Sequence, residues 1–193
     1  EAEKNLTFSV FKDVSFLKVS EQFYISMAVA LGITKALKEL QIPKIKIKWP
    51  NDILSERKKI AGILIENLIK NNTLEGSIIG IGLNINQKFF DNLPNASSLS
   101  LISGVVYNKD EVFHHVLKNI QEYLEKLEHD FESLKKEYEN KLFRMRKPST
   151  FKTSDDQVFS GFIEGVTVDG KLKLRLEDDI RKNYELKEIQ LLY

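Results

Sequence analysis

The segment Lys44 to Trp49, KIKIKW, alternates without a break, and two further strand patterns follow it. The alternation puts Ile45, Ile47 and Trp49 on one face of a half-buried strand. Pro50-Asn51-Asp52 then supplies turn chemistry. Ile60 to Ile69 and Ser77 to Ile85 read as apolar strands joined as a hairpin across the polar Asn71 to Gly76. Together these segments commit the chain to a mixed or antiparallel sheet that needs at least one helix packed on it, an α+β architecture.

The flanking sequence supplies the remaining parts. Asn5 to Phe11 reads as a strand. From Ser20, a candidate cap, to about Leu40 the residues Phe23, Met27, Ala30, Leu31, Thr34 and Leu37 recur at helical spacing. Gly32 inside that helix marks either lost stability or the close approach of a neighbour. Asn92 to Gly104 reads as a loop. Lys109 to Phe143 is helical, as one helix or two, with any break at His129-Asp130. The texture changes near Arg146-Lys147-Pro148. Short alternating segments follow at Thr150–Thr153, Val158–Val168, Lys171–Leu176, Arg181–Leu186 and Glu188–Leu192, as in a small barrel. The expected division is residues 1–146 and 147–193.

Composition removes whole classes of function. The 193 residues contain no cysteine, so disulfides, thiolate zinc sites and cysteine nucleophiles are excluded, and the chain suits a reducing cytoplasm. A formal charge of +1, with bases and acids balanced along the chain, shows no dominant basic stripe and argues against a DNA partner. No apolar run is long enough to span a bilayer and no signal peptide is evident, so no membrane role is expected. His114, His115 and His129 lie on a polar helix surface without ligand spacing, so no metal site is expected.

Chemistry concentrates after the alternating strand. Asn51 offers donor and acceptor groups, Asp52 a carboxylate, and Lys58 or Lys59 a fixed positive charge. Ala61-Gly62 places nearly bare backbone beside that charge, and Gly80, Gly82 and Asn84 on the neighbouring strand offer a second bare patch. The set suits an anionic ligand with a planar part. Singly, each piece is ordinary: Lys59 reads as a surface lysine, Pro50-Asn51-Asp52 as a turn, Trp49 as core. GIG at Gly80 to Gly82 is neither a Walker nor a dinucleotide motif, because no lysine or helix start follows it.

The ordered string carries far more than its pieces. KWPND, six residues, KIAGIL and later GIGLNIN resemble the catalytic domain of the biotin–protein ligase (holocarboxylase synthetase) family. Lys4-Asn5-Leu6, Pro94 to Leu99 and the barrel-like tail extend the resemblance over nearly the whole chain. It implies a class II aminoacyl-tRNA-synthetase-like fold with a C-terminal SH3-like β-barrel. It implies that biotin is activated with Mg2+ and ATP to biotinyl-5'-AMP and passed to a lysine of a biotin carboxyl carrier domain. Lys59 matches the catalytic lysine, which contacts the biotin carboxylate and the α-phosphate. Asp52 would orient or deprotonate the acceptor lysine. Gly62, Ile63, Leu64 and Gly82 would line the biotin pocket, and Asn51, Asn84 and Trp49 would meet the nucleotide.

Family members also carry an upstream Ser-Thr-Asn stretch and a Gly/Arg-rich loop over biotin and the adenylate. These residues contain neither, and Glu1 reads as a start in mid-domain. The alternatives are a lipoate–protein ligase and a non-catalytic ligase-like binding domain. A homodimer is the candidate assembly.

Overall fold

The computed structural model describes residues 3–193, so the start of the expected first domain lies outside the described residues. Five strands form the first sheet: β1 (Leu6–Asp13), β2 (Lys46–Lys48), β3 (Asp52–Ser55), β4 (Lys58–Lys70) and β5 (Thr73–Leu83). Their spatial order is β1-β5-β4-β3-β2, and every pair is antiparallel. Ile53, Ala61, Ile63, Ile79, Ile81 and Leu83 bury one face of this sheet. α1 (Phe23–Glu39) and α3 (Lys109–Leu127) help form the same core. Gly32 lies where these two helices meet: a Cβ there would sit 2.6 Å from the Ile120 Cα, so only a bare position permits the crossing.

The long helical stretch is two helices. α3 ends before His129, and the Asp130 side chain accepts the Ser133 amide to start α4 (Phe131–Lys141). A second antiparallel sheet has the order β10-β6-β7-β8-β9, from β6 (Pro148–Thr153), β7 (Val158–Val166), β8 (Leu172–Leu176), β9 (Arg181–Tyr184) and β10 (Ile189–Leu192). Phe151, Ile163, Val166 and Leu174 fill its interior. The second sheet is tied to the β2–β3 turn and to α4. Trp49 Nε1 donates to the Gly170 carbonyl at 2.9 Å, and Glu139 Oε1 accepts the Val166 amide at 3.0 Å. Gly170 has φ of 91° and meets the Phe23 ring so closely that any side chain would collide with it.

Four local expectations need correcting. β3 begins at Asp52, read as part of a turn, and continues to Ser55 where no strand was expected; it is four residues long, too short for periodicity to reveal. The β4–β5 hairpin turns on Asn71-Asn72 alone, both at positive φ, so its loop is shorter than Asn71 to Gly76. A short helix, α2 (Leu99–Ser103), lies inside the expected loop, capped by Ser98 Oγ on the Leu101 amide and ended by Gly104 in the left-handed region. Ser20 is not the cap of α1: it lies in a 3-10 turn, and α1 begins after Gln22.

Candidate active site

Strict alternation would send Lys59, three residues before Gly62, to the opposite face of β4. A bulge prevents this. Between Ile53 and Leu54 the partner on β4 jumps from Ala61 to Lys59, leaving Ile60 as the extra residue. Bulges re-aim side chains in this way. Ile60 and Ala61 both face the core, and Lys59 joins Asp52 and Gly62 on the other face. The Lys59 backbone is fixed from its outer side, where its amide meets the Asn95 carbonyl at 2.6 Å and its carbonyl accepts the Ser97 amide at 2.9 Å.

Lys59 Nζ lies 2.6 Å from Asp52 Oδ1, and Lys48 Nζ lies 3.5 Å from Asp52 Oδ2. The Asp52 side chain is 14% exposed and that of Lys59 46%, so a shielded carboxylate presents a lysine whose tip reaches solvent. Gly62 faces Gly82 across the β4–β5 ladder, and Asp52 faces Gly62 across β3–β4. A Cβ on Gly62 would stand 3.4 Å from Lys59 Nζ, whereas one on Gly82 would meet nothing within 4 Å. The two glycines thus form a bare floor beside the charged pair. Leu64 continues this face, 61% exposed.

A cavity of about 450 Å3 adjoins the pair. Lys59, Asn84 and Tyr193 line it together with Phe90, Leu93 and Pro94. The Tyr193 ring lies 5.2 Å from Lys48 Nζ, and burial, reinforced by the Asp52 carboxylate, holds its phenol above the usual tyrosine range. Asn84 Nδ2 is bonded to the Ser97 carbonyl at 3.0 Å, which ties the floor to the loop before α2.

The structure therefore brings Lys59, Asp52, Gly62, Leu64 and Gly82 to one face, with Asn84 at the adjoining cavity. It does not bring the side chain of Ile63, which is 3% exposed and packed in the core. Trp49 is buried, with its indole N–H committed to Gly170. Asn51 spends its side-chain amide on the Ile63 carbonyl at 2.8 Å, pinning β4 at the floor. Lys48 and Tyr193 were not expected at the site. Lys48 was legible, since a tight Trp49-to-Asn51 reversal sets it opposite Asp52. Tyr193 lies far from the motif in sequence, and no pattern signals it.

A positive group next to a shielded carboxylate and bare backbone can hold an anionic, partly flat ligand and stabilise negative charge that develops on it. Comparison with known proteins agrees. Residues 1–84 match the biotin/lipoate A/B protein ligase family. The bifunctional ligase/repressor BirA of Bacillus subtilis is 30% identical over 165 residues, covering 83% of this chain and 50% of that protein. The chain thus spans about half the length of the curated relatives it matches. A biotin protein ligase from Aquifex aeolicus, solved in complex with biotin and ATP, superposes with a TM-score of 0.79 at 27% identity, over 98% of this chain and 79% of that one. A ligase-like protein of unknown function from Silicibacter also reaches 0.79, over 97% of this chain and 81% of its own, but at 13% identity that likeness concerns the fold alone. Fold, motif and family match converge: residues 1–84 match the biotin/lipoate A/B protein ligase family, and nearly the whole chain shares the fold of a biotin protein ligase.

Proposed function

We propose that the protein joins biotin to a lysine of a biotin carboxyl carrier domain, in the cytoplasm, by way of biotinyl-5'-AMP. The observation that carries this reading is the Lys59–Asp52 pair at 2.6 Å beside the Gly62–Gly82 floor. In the first step a biotin carboxylate oxygen attacks the α-phosphorus of ATP, and pyrophosphate leaves. Lys59 would neutralise the carboxylate and the phosphoryl oxygens as charge shifts between them. One well-aimed donor of this kind contributes roughly 3–4 kcal/mol. In the second step the acceptor amine attacks the acyl carbon, AMP leaves and an amide forms. A lysine must lose a proton before it attacks, and Asp52 is the shielded carboxylate next to the reacting centre.

Gly62, Leu64 and Gly82 line the biotin side, and Asn84 faces the nucleotide in the adjoining cavity. Asn51 acts by holding β4. Mg2+ would accompany the ATP phosphates. No helix among the described residues is long and apolar enough to cross a membrane.

The test is biotin-dependent exchange of pyrophosphate into ATP by the full-length protein. Exchange with biotin and none with lipoate is expected. Lys59→Ala should lower it roughly 10²–10³-fold with the melting temperature unchanged. Exchange supported by lipoate alone would assign the protein to the other branch of its family, and near-normal exchange by the variant would remove Lys59 from the chemistry.

A further inference from the structure

The sequence shows no basic stripe, yet folding assembles one concentrated patch. A cavity of about 640 Å3 lies between the β2–β3–β4 edge of the first sheet and the segment leading into the second. Lys44, Lys46, Arg57, Arg144, Arg146 and Lys147 line it, against the single carboxylate of Glu56. Glu56 is paired with Lys44 at 2.9 Å. Lys46, Arg57, Arg146 and Lys147 have no carboxylate within ion-pair distance among the described residues. A protein of net charge +1 thus gathers six cations around one cavity. The backbone builds this deliberately: the Phe143 amide donates to the Ile47 carbonyl at 2.7 Å, and the Arg146 amide to the Ile163 carbonyl at 2.9 Å. Leu142, Phe143 and Met145 supply an apolar floor beneath the charges.

This patch is continuous with the candidate active site. Lys46 pairs with Leu54, two residues along β3 from Asp52, which at about 3.3 Å per residue is roughly 7 Å away. Arg57 lies two residues from Lys59. The Phe143 ring is 5.2 Å from Tyr193, which lines the cavity beside Lys59.

We infer that this cavity docks the protein acceptor through an acidic surface next to its target lysine. The inference rests on the proposed ligase reading. The acceptor must deliver an amine to Asp52 and Lys59, and a partner seated here would do so. Complementary charge would speed encounter and fix orientation. A cationic rim over an apolar floor matches a protein interface. It does not match a nucleic acid, whose backbone would need positive charge continued along a track, whereas the remainder of the chain is net acidic.

The test uses the full-length protein, Lys46→Glu/Lys147→Glu, and an apo biotin carboxyl carrier domain as acceptor. Both substituted side chains are at the surface. The variant is expected to keep biotin-dependent pyrophosphate exchange within about twofold. Its second-order rate of biotin transfer should fall at least tenfold at low salt, and the gap should close near 1 M salt, where charges are screened beyond about 3 Å. Neutralising the acidic residues nearest the acceptor lysine should slow transfer by the wild type and leave the variant unaffected. Normal exchange with unchanged transfer in the variant would overturn the docking surface and leave the ligase reading standing. No exchange by the wild type would overturn both. Loss of binding to a single-stranded RNA 20-mer, with transfer unchanged, would replace the acidic protein by a nucleic acid.

Discussion

The two faces of the first sheet are built from the same strands and share almost nothing else. One face carries Ile53, Ala61, Ile63, Ile79, Ile81 and Leu83, each no more than 3% exposed. The other carries a row running Lys48, Asp52, Gly62, Gly82 and Thr7 straight across four pairings. The apolar face sets the register, because a slip by one residue would exchange the faces. The polar face inherits that register and gains from it a carboxylate, a lysine and a glycine floor in line. Chemistry on one side is therefore positioned by burial on the other, except at Lys59, where parity is broken by the bulge at Ile60.

The largest expected effect tests whether the core face holds the register. Ile53 is fully buried, pairs with Ala61 and adjoins Asp52. Ile53→Ala should destabilise the protein by about 3 kcal/mol in urea unfolding, within the span for buried isoleucine. A loss below about 1 kcal/mol would mean that the loops around Lys59 hold the register instead.

A smaller effect separates the faces from the other side. A Cβ on Gly82 would have no neighbour within 4 Å, so Gly82→Val adds a β-branched residue at an open position of the strand. Stability should stay within about 1 kcal/mol of wild type, while the KM for biotin in pyrophosphate exchange rises at least tenfold, equivalent to about 1.4 kcal/mol. An unchanged KM would show that the glycine floor is not where biotin lies.

The core face was almost wholly legible from alternation: KIKIKW, the two apolar strands and the helical spacing in α1 and α3 all predict their buried sides. The working face was legible only as a motif. Alternation alone sends Lys59 to the wrong side, since a bulge leaves no mark in a run such as Lys58-Lys59-Ile60. The engagement of Trp49 by Gly170, 121 residues away, is equally invisible, because it depends on how the two sheets dock. The cationic cavity escaped for the same reason. Its lysines and arginines come from segments about a hundred residues apart, and each segment alone supplies only three of them.

The smallest expected effect lies where the core breaks its own rule. Tyr138 of α4 is fully buried against the Phe23 ring, with centroids 6.0 Å apart, and its hydroxyl has no hydrogen-bond partner among the described residues. An unpaired buried hydroxyl costs about 1–3 kcal/mol in desolvation, part of which is recovered when both shape and apolar contact are kept without it. Tyr138→Phe should therefore stabilise the protein by about 1 kcal/mol. Burial also drives the Tyr138 phenol upward from its ordinary value. The unfolded phenol ionises near pH 10 while the folded one stays protonated, so above about pH 10 the native state holds the extra proton and wild-type stability falls as pH rises. The phenylalanine variant lacks this dependence, and its advantage in urea unfolding should widen between pH 9 and about 11. A variant less stable than wild type at pH 7 would show that the hydroxyl is bonded after all, and that the apolar side of the sheet is less purely apolar than its sequence pattern implies.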